Sequence, residues 1–506
     1  MSHDLPPVHH GTVVPLSSVE ELLLPSFRAA VVDRVAAGAR IAAFFGAPDG
    51  PQSLRLCAVL ADDTAGELFV AAARVHGDYP ALTPDCPQAH WFEREIAEQW
   101  GIRPQGHPWL KPIRFHRSYR GGLDAWSRPD GEEIAPGVVE YFKVHGEEIH
   151  EVAVGPVHAG IIEPGHFRFQ CYGENVLHLE IELGYQHRGL ERRFVGGPDR
   201  RTIHYAETLA GDTTVGHALA YCRVLETLAG VEAPARAQVL RGVALELERV
   251  ANHTGDLGAL ANDVGFLPTA SYCGRIRGDF LNLTAMLCGN RFGRALVRPG
   301  GTAMDLTNAD IDTILNKLEA AERDVAGAVD LLWSTGSVMA RFDHTGTVSA
   351  DDARAVGLVG PSARACGIER DVRLDFPDEV YRYAQIPVAT WPSGDVFARA
   401  TVRWLEIQRS LSFIKEQLRS ICEGAVAIEI GPPAGASMVV SLVEGWRGEI
   451  CHVATTDERG RFAHYKLVDP SFHNWFGLAL SLRGEQISDF PLCNKSFNLS
   501  YCGHDL

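Results

Sequence analysis

Apolar residues recur at two different periods along this chain, and the changes between them mark out its elements. Residues 1 to about 116 alternate short helical and strand-like stretches, at 17–37, 40–45, 54–61 and 67–76, which predicts a small α+β unit. In residues 90–102, Phe92, Ile96 and Trp100 each stand one helical turn after the last, with charges between them. That spacing predicts an amphipathic helix stopped by Gly101. Gly, Pro and charged residues then crowd positions 119–140, the composition of a linker. Residues 151–184 read as strands and turns, after which helical periodicity dominates at 202–228, 233–260, 309–333 and 398–422. Asn308 is placed to cap the third of these, and Gly424 follows the fourth. Strand character returns at 436–443 and 448–453.

The expected organisation is therefore a small α+β domain over 1–118, a linker over 119–140, and a large mainly helical domain with peripheral strands over 141–506. The fold class is α+β. A length of 506 residues fits a large fold with an appendage.

A formal charge of −17 without a basic stripe excludes a nucleic-acid-binding surface. The longest apolar runs, near 425–428 and 478–482, are far shorter than the roughly 18–20 residues that cross a bilayer. The N-terminus has no basic segment followed by an apolar one and reads as an unprocessed cytoplasmic start. Eleven cysteines stand singly with no C-x-x-C pair, so neither a zinc ribbon nor a self-contained iron-sulfur site is encoded. No G-x-G-x-x-G opens a βαβ unit, so nicotinamide binding by this chain itself is not expected.

Several motifs remain. Trp91-Phe92-Glu93-Arg94-Glu95, Gly101-Ile102 and Gly106-His107-Pro108-Trp109-Leu110 resemble the signature of the 30-kDa-type subunit of respiratory complex I. From Gly146 onward five blocks follow in order. They are Gly155-Pro156-Val157-His158, Glu163-Pro164-Gly165-His166-Phe167-Arg168-Phe169, Gly184-Tyr185-Gln186-His187-Arg188-Gly189-Leu190-Glu191, Gly289-Asn290-Arg291-Phe292 with Arg298-Pro299-Gly300-Gly301, and Asp469-Pro470-Ser471-Phe472-His473-Asn474-Trp475. These resemble the large subunit of energy-converting (group 4) nickel-iron hydrogenases and its complex I relative, the 49-kDa-type subunit. Such hydrogenases hold their metals with four thiolates from two C-x-x-C motifs. The matching places here, in Ala210-Gly211-Asp212-Thr213-Thr214-Val215-Gly216-His217 and in Ser500-Tyr501-Cys502-Gly503-His504-Asp505-Leu506, carry Ala210, Thr213, Ser500 and Gly503. The chain is thus most similar to the hydrogenase-related members that lack the metal-binding cysteines, and no nickel-iron centre or other metal is expected in it. Maturation of hydrogenase large subunits removes a C-terminal extension, and this chain stops about where such trimming would leave it.

The resemblance implies a large peripheral-arm subunit on the cytoplasmic face of the cell membrane, an oxidoreductase component active only within its complex. Its partners would be an iron-sulfur small subunit and membrane-arm subunits of the antiporter-like and heel types. Electrons would pass from the partner's cluster to a quinone in the former metal cavity. By that resemblance His166 is the headgroup contact, with His158 second, and imidazole chemistry suits proton delivery to a quinone oxygen. A turn histidine bonded to nearby backbone is the competing reading. The tyrosine that complex I uses near positions 208–212 is missing, leaving Asp212, His217 and His504 as polar or proton-carrying substitutes; for His217 a packed core histidine is the alternative. His187 and Arg188 would lie beside the cluster-binding interface, Arg188 stabilising reduced states, or else pairing with Glu191. Glu180 and Glu182, two apart on a strand, could face one cavity or solvent. Glu246, Glu248, Arg249, His253 and Asp256 form a mixed face expected at an interface or in solvent. A different class of function, a non-catalytic scaffold joining the cluster subunit to the membrane arm, fits a collapsed cavity. Hydrogen chemistry on Cys502 and Cys222 does not, because single thiols make no bridging site.

Overall fold

The N-terminal apolar runs become a sheet. In the computed structural model, which describes residues 5–50, 53–129, 131–158, 160 and 162–506, strands Arg40–Pro48, Leu54–Asp62 and Glu67–Val75 form an antiparallel meander. Pro7–Val8 and Glu21–Leu22 pair with its last strand. Helix Leu24–Ala36 packs on this sheet through Phe27, Ala30 and Val31. Helix His90–Trp100 lies against Arg40–Pro48, and Gly101 ends it with a φ of 67°. A Cβ on Gly46 would sit 2.9 Å from the Trp100 ring, so the closest helix-to-strand approach requires glycine there.

The charged side of that helix is not solvated. Glu93, Arg94, Glu95 and Glu98 are all buried, Arg94 and Glu95 meeting partners in the large domain and Glu93 and Glu98 meeting partners within the N-terminal unit. Arg94 faces Glu182 at 3.5 Å, and Lys466 binds Glu95 at 2.5 Å. The Ile113 and Arg114 amides donate to Glu98 at 3.0 and 2.7 Å.

A second sheet joins the two parts. Ser437–Gly445, Gly448–Thr456 and Phe462–Val468 run antiparallel, and Val14–Pro15 from the N-terminal region pairs with the edge at Ser437 and Met438. Alternation makes both faces apolar. Met438, Val440 and Leu442 share a core with the N-terminal sheet, while Val439 and Val443 face the helical core.

Helices Thr214–Ala229, Ala235–Asp263, Leu267–Cys288, Asn308–Trp333 and Val396–Arg419 form the bulk of the large domain, so the α+β class holds. The stretch 202–228, expected as one helix, is two, Thr202–Ala206 and Thr214–Ala229, separated by a turn where Thr208 bonds back to the His204 and Tyr205 carbonyls. Helix Leu267–Cys288 escaped the periodicity reading because Pro268, Gly274 and Gly278 weaken its signal. Thr307 rather than Asn308 is the N-cap, in a capping box with Asp310, and the helix expected to run to 422 stops at Arg419.

The mixed face of Ala235–Asp263 is buried rather than at an interface or in solvent. Arg249 pairs with Glu246 (3.0 Å) and Glu406 (3.5 Å), His253 with Glu406 (2.8 Å), and Asp256 with Arg403 (2.8 Å). Among the described residues no helix is long and apolar enough to cross a membrane.

Candidate functional site

The broken helix and the end of the chain converge. Residues 207–213 form the turn before helix Thr214–Ala229, and Glu248 on the neighbouring long helix accepts the Val215 and Gly216 amides at 2.7 and 3.3 Å. Asp212 is held in place by its carbonyl, which accepts Trp446 Nε1 and Asn252 Nδ2, both at 3.0 Å. Its carboxylate receives Arg447 Nη1 and Nη2 at 2.5 and 2.7 Å. Arg447 also donates to the Asn498 carbonyl, which ties the pair to the terminal segment. The Asp212 side chain is 33% exposed and that of Arg447 4%, so the ion pair is open on one side.

Behind it lies a line of buried groups. His217 Nε2 is 3.0 Å from Asp469 Oδ2, and its Nδ1 is 3.2 Å from His452 Nε2. His452 Nδ1 is 3.0 Å from the Tyr465 hydroxyl. With both imidazoles neutral, one proton arrangement satisfies every bond: Tyr465 donates to His452, His452 to His217, and His217 to Asp469. Burial, with His217 beside it, holds His452 well below the usual histidine range. Burial also pushes Asp469 upward, but the His217 hydrogen bond, Arg447 and the Ser471 amide outweigh it and keep the carboxyl low. The Ser471 amide contact, 2.8 Å, makes Asp469 the N-cap of helix Pro470–Ser481.

The terminal turn closes over this carboxylate. Ser500 Oγ accepts the Gly503 amide at 2.9 Å, and the Ser500 amide donates to Ser471 Oγ at 2.9 Å. A Cβ at Gly503 would lie 2.7 Å from Asp469 Cγ. Cys502 places its thiol 3.4 Å from Ser500 Oγ, and burial, with Glu163 adding to it, pushes that thiol up to about 11.

The profile of the family described as respiratory-chain NADH dehydrogenase, 49 Kd subunit, matches residues 263–434, and that of the 30 Kd subunit matches residues 43–123. Carbon monoxide-induced hydrogenase of Rhodospirillum rubrum is 32% identical over 350 residues, covering 69% of this chain and 97% of the relative. This chain belongs to the fused 30-kDa/49-kDa-type large subunits related to complex I and group 4 hydrogenases. Formate hydrogenlyase subunit 5 of Escherichia coli (strain K12) is 29% identical over 440 residues, 84% of this chain and 76% of the relative. An NADH-quinone oxidoreductase subunit of Bdellovibrio bacteriovorus is 28% identical over 455 residues, 81% of this chain and 80% of the relative. The relatives are subunits of oxidoreductase and hydrogenase complexes.

A nickel-iron centre held by four thiolates does not fit the donor set at these positions. Ala210 offers no ligand atom, Thr213 Oγ1 lies within 3.3–3.4 Å of Asp212 and Arg447, Ser500 Oγ is engaged by the Gly503 amide, and Gly503 abuts a carboxylate. Gly503→Cys is therefore expected to lower stability by about 1–3 kcal/mol through overpacking against Asp469. Chemical denaturation of the full chain checks this, and an unchanged midpoint would contradict the packing described.

The other expected site residues are placed as follows. His166 Nε2 meets Arg168 Nε at 3.2 Å, and burial, then Arg168, lowers its pKa. His158 Nε2 bonds the Gly165 carbonyl at 2.9 Å. Neither is hydrogen-bonded to Asp212 or His217, but the same loop reaches the chain end, where Glu163 accepts the Tyr501 and Cys502 amides at 3.3 and 3.2 Å. His504 bonds Asp505 at 2.9 Å and stacks on Phe472.

His187 Nδ1 is 3.3 Å from the Asp505 carbonyl, and Arg188 donates to the Thr208 and Leu209 carbonyls at 2.9 Å each, not to Glu191. Both line a cleft of about 660 Å³ with His116, Arg117, Arg192 and Arg193, a basic concentration in an acidic chain. His187 stacks on His116 at 4.8 Å, and burial, then Arg114 and His116, drives it down to about 3. Glu180 and Glu182 do share a side, and both are buried against Lys111.

Arg447, His452, Asp469 and Glu248 were not legible as site residues. Arg447 stands in the turn of a hairpin and His452 on its second strand, with no metal-ligand spacing, and Asp469 stands out only as part of a motif of the resemblance.

Proposed function

We propose that this chain is the large peripheral-arm subunit of a membrane-attached complex, taking electrons from an iron-sulfur cluster in a partner subunit and passing them to a quinone-like acceptor beside Asp212. The observation that carries this reading is the Arg447–Asp212 pair. It supplies a fixed cation and a partly exposed carboxylate within the segment that resembles the first hydrogenase motif, and the basic cleft lined by Arg188 and Arg192 suits a partner bearing a negatively charged cluster. The cation can stabilise charge developing on a reduced carbonyl oxygen, and Asp212 can relay its proton. His166, His217 and Arg188 act in this reading as supporting groups around that pair. The partners are the cluster-bearing small subunit and a membrane arm with antiporter-like and heel subunits, which places the chain at the cytoplasmic face of the membrane.

The purified complex should contain iron without nickel and reduce a soluble quinone analogue. Asp212→Asn should slow that reduction by roughly 10²-fold while leaving iron content unchanged, the size of a lost proton-transfer group. Stoichiometric nickel, or an unaltered rate, overturns the reading.

The packing of Asp469 against Gly503 favours a second reading. In it the former cavity is closed and the chain only joins the cluster subunit to the membrane arm. An intact complex inert toward every quinone analogue supports that alternative.

A further inference from the structure

The joint between the 30-kDa-type and 49-kDa-type parts is not closed everywhere. Between helix His90–Trp100, strand Asn175–Glu182 and helix Pro470–Ser481 lies a cavity of about 480 Å³, within the size range of small-molecule sites. Trp91, Trp109, Phe142, Trp475 and Phe476 supply its aromatic walls.

Its charges cancel internally. Glu180 is bound by Lys111, by Trp109 Nε1 at 2.8 Å and by the Phe142 amide at 2.8 Å. Glu182 lies 2.9 Å from Lys111 and 3.5 Å from Arg94. Two carboxylates thus meet two cations, and a charged ligand would find no uncompensated partner. Burial, then Arg94 and His107, keeps His90 well below the usual histidine range, so its ring adds no charge.

Two ring nitrogens of the lining residues lack hydrogen-bond partners. Trp91 Nε1 and His90 Nδ1 are both buried and unpaired, and a buried indole N–H without an acceptor calls for an explanation. Trp91 also packs edge-on against His504 at 5.5 Å, and Trp475 against Tyr501 at 4.8 Å. The cavity therefore backs onto the terminal segment that carries Ser500 and Gly503, and Asp212 is not among its lining residues.

We infer that this cavity is a binding site for a neutral, flat-ring molecule bearing a carbonyl-type oxygen, held between the two parts of the chain. Ring faces stack on the aromatic walls, and the oxygen accepts from Trp91. This site is independent of the acceptor site proposed beside Asp212.

Benzophenone is the probe, being neutral, aromatic, a ketone and photoreactive. Irradiated with the purified complex, it should label peptides containing Trp91, Phe142 or Ala479 saturably, and excess fluorenone should suppress the label. Ala479→Trp, which fills the cavity from helix Pro470–Ser481, should reduce labelling by at least about tenfold through steric exclusion. Trp91→Phe keeps a ring and removes the N–H, and should weaken apparent affinity by roughly fivefold, the scale of one hydrogen bond. Asp212→Asn, which slows quinone reduction, should leave the labelling at this cavity unaltered, because Asp212 does not line it. Labelling that does not saturate, that ignores both substitutions in folded protein, or that falls only on peptides with Asp212 or Ser500 overturns the inference. Should Ala479→Trp fail to fold, Trp91→Phe and fluorenone competition decide.

Discussion

Replacing Arg114 with Leu is expected to destabilise the folded chain by about 3–5 kcal/mol, the range for breaking a buried pair and leaving its partner charged. Arg114 is buried at the meeting point of three regions. Its Nη1 pairs with Glu95 on the signature helix, and its Nε and Nη2 donate to the His504 carbonyl at 3.2 and 3.0 Å. Lys466 bridges Glu95 and Glu191 at 2.5 and 2.8 Å, so one ammonium would be left facing two buried carboxylates. Urea denaturation followed by tryptophan fluorescence measures the loss. Arg419→Leu, which removes an exposed pair with Glu319, should stay within about 1 kcal/mol of the unaltered chain. Faster amide exchange at residues 500–505 should accompany the Arg114 substitution. Equal effects at the two arginines would show that the interdomain network does not hold the chain end.

Glu248→Gln should make the chain relatively more stable as pH rises. Burial lifts the Glu248 carboxyl to about 8, the Val215 and Gly216 amides and Arg249 opposing that shift and Asp212 adding to it. The folded state therefore keeps a proton that the unfolded chain releases near its ordinary value of 4.5. Stability owed to this group is complete below that value and is lost as pH rises through about 8. At about 1.36 kcal/mol per pKa unit the change is on the order of 5 kcal/mol. Glutamine has no such titration, so the difference between variant and unaltered chain should swing toward the variant between about pH 5 and pH 9. Other groups titrate alike in both and cancel. A pH-independent difference would mean that Glu248 is ionised in the fold, helped by the N-terminus of helix Thr214–Ala229.

The long helices and the Glu-Arg-Glu signature were legible because a 3.6-residue period survives whatever the helix packs against. Helix Leu267–Cys288 was lost to Gly274 and Gly278, whose weak propensity is overridden by packing on Ala235–Asp263. Strand Phe462–Val468 carries Tyr465 and Lys466 inward among polar neighbours and gives little alternation. Charged positions misled most. Arg249, His253 and Asp256 sit at spacings typical of a solvated face, yet each is buried beside a partner more than 140 residues away.

What this sequence determined alone was local: the helical periods, the family's ordered motifs, and the identities Ala210, Thr213, Ser500 and Gly503 at the four positions where the resemblance expects cysteine. What surrounds those positions was decided by tertiary structure. The Arg447–Asp212 pair, the line from Tyr465 through His452 and His217 to Asp469, and the aromatic cavity all join residues separated by tens to hundreds of positions. Buried charges and hydrogen bonds are stable only where a partner arrives in the right geometry, and that arrival depends on how the sheets and helices close, which no spacing along the chain records.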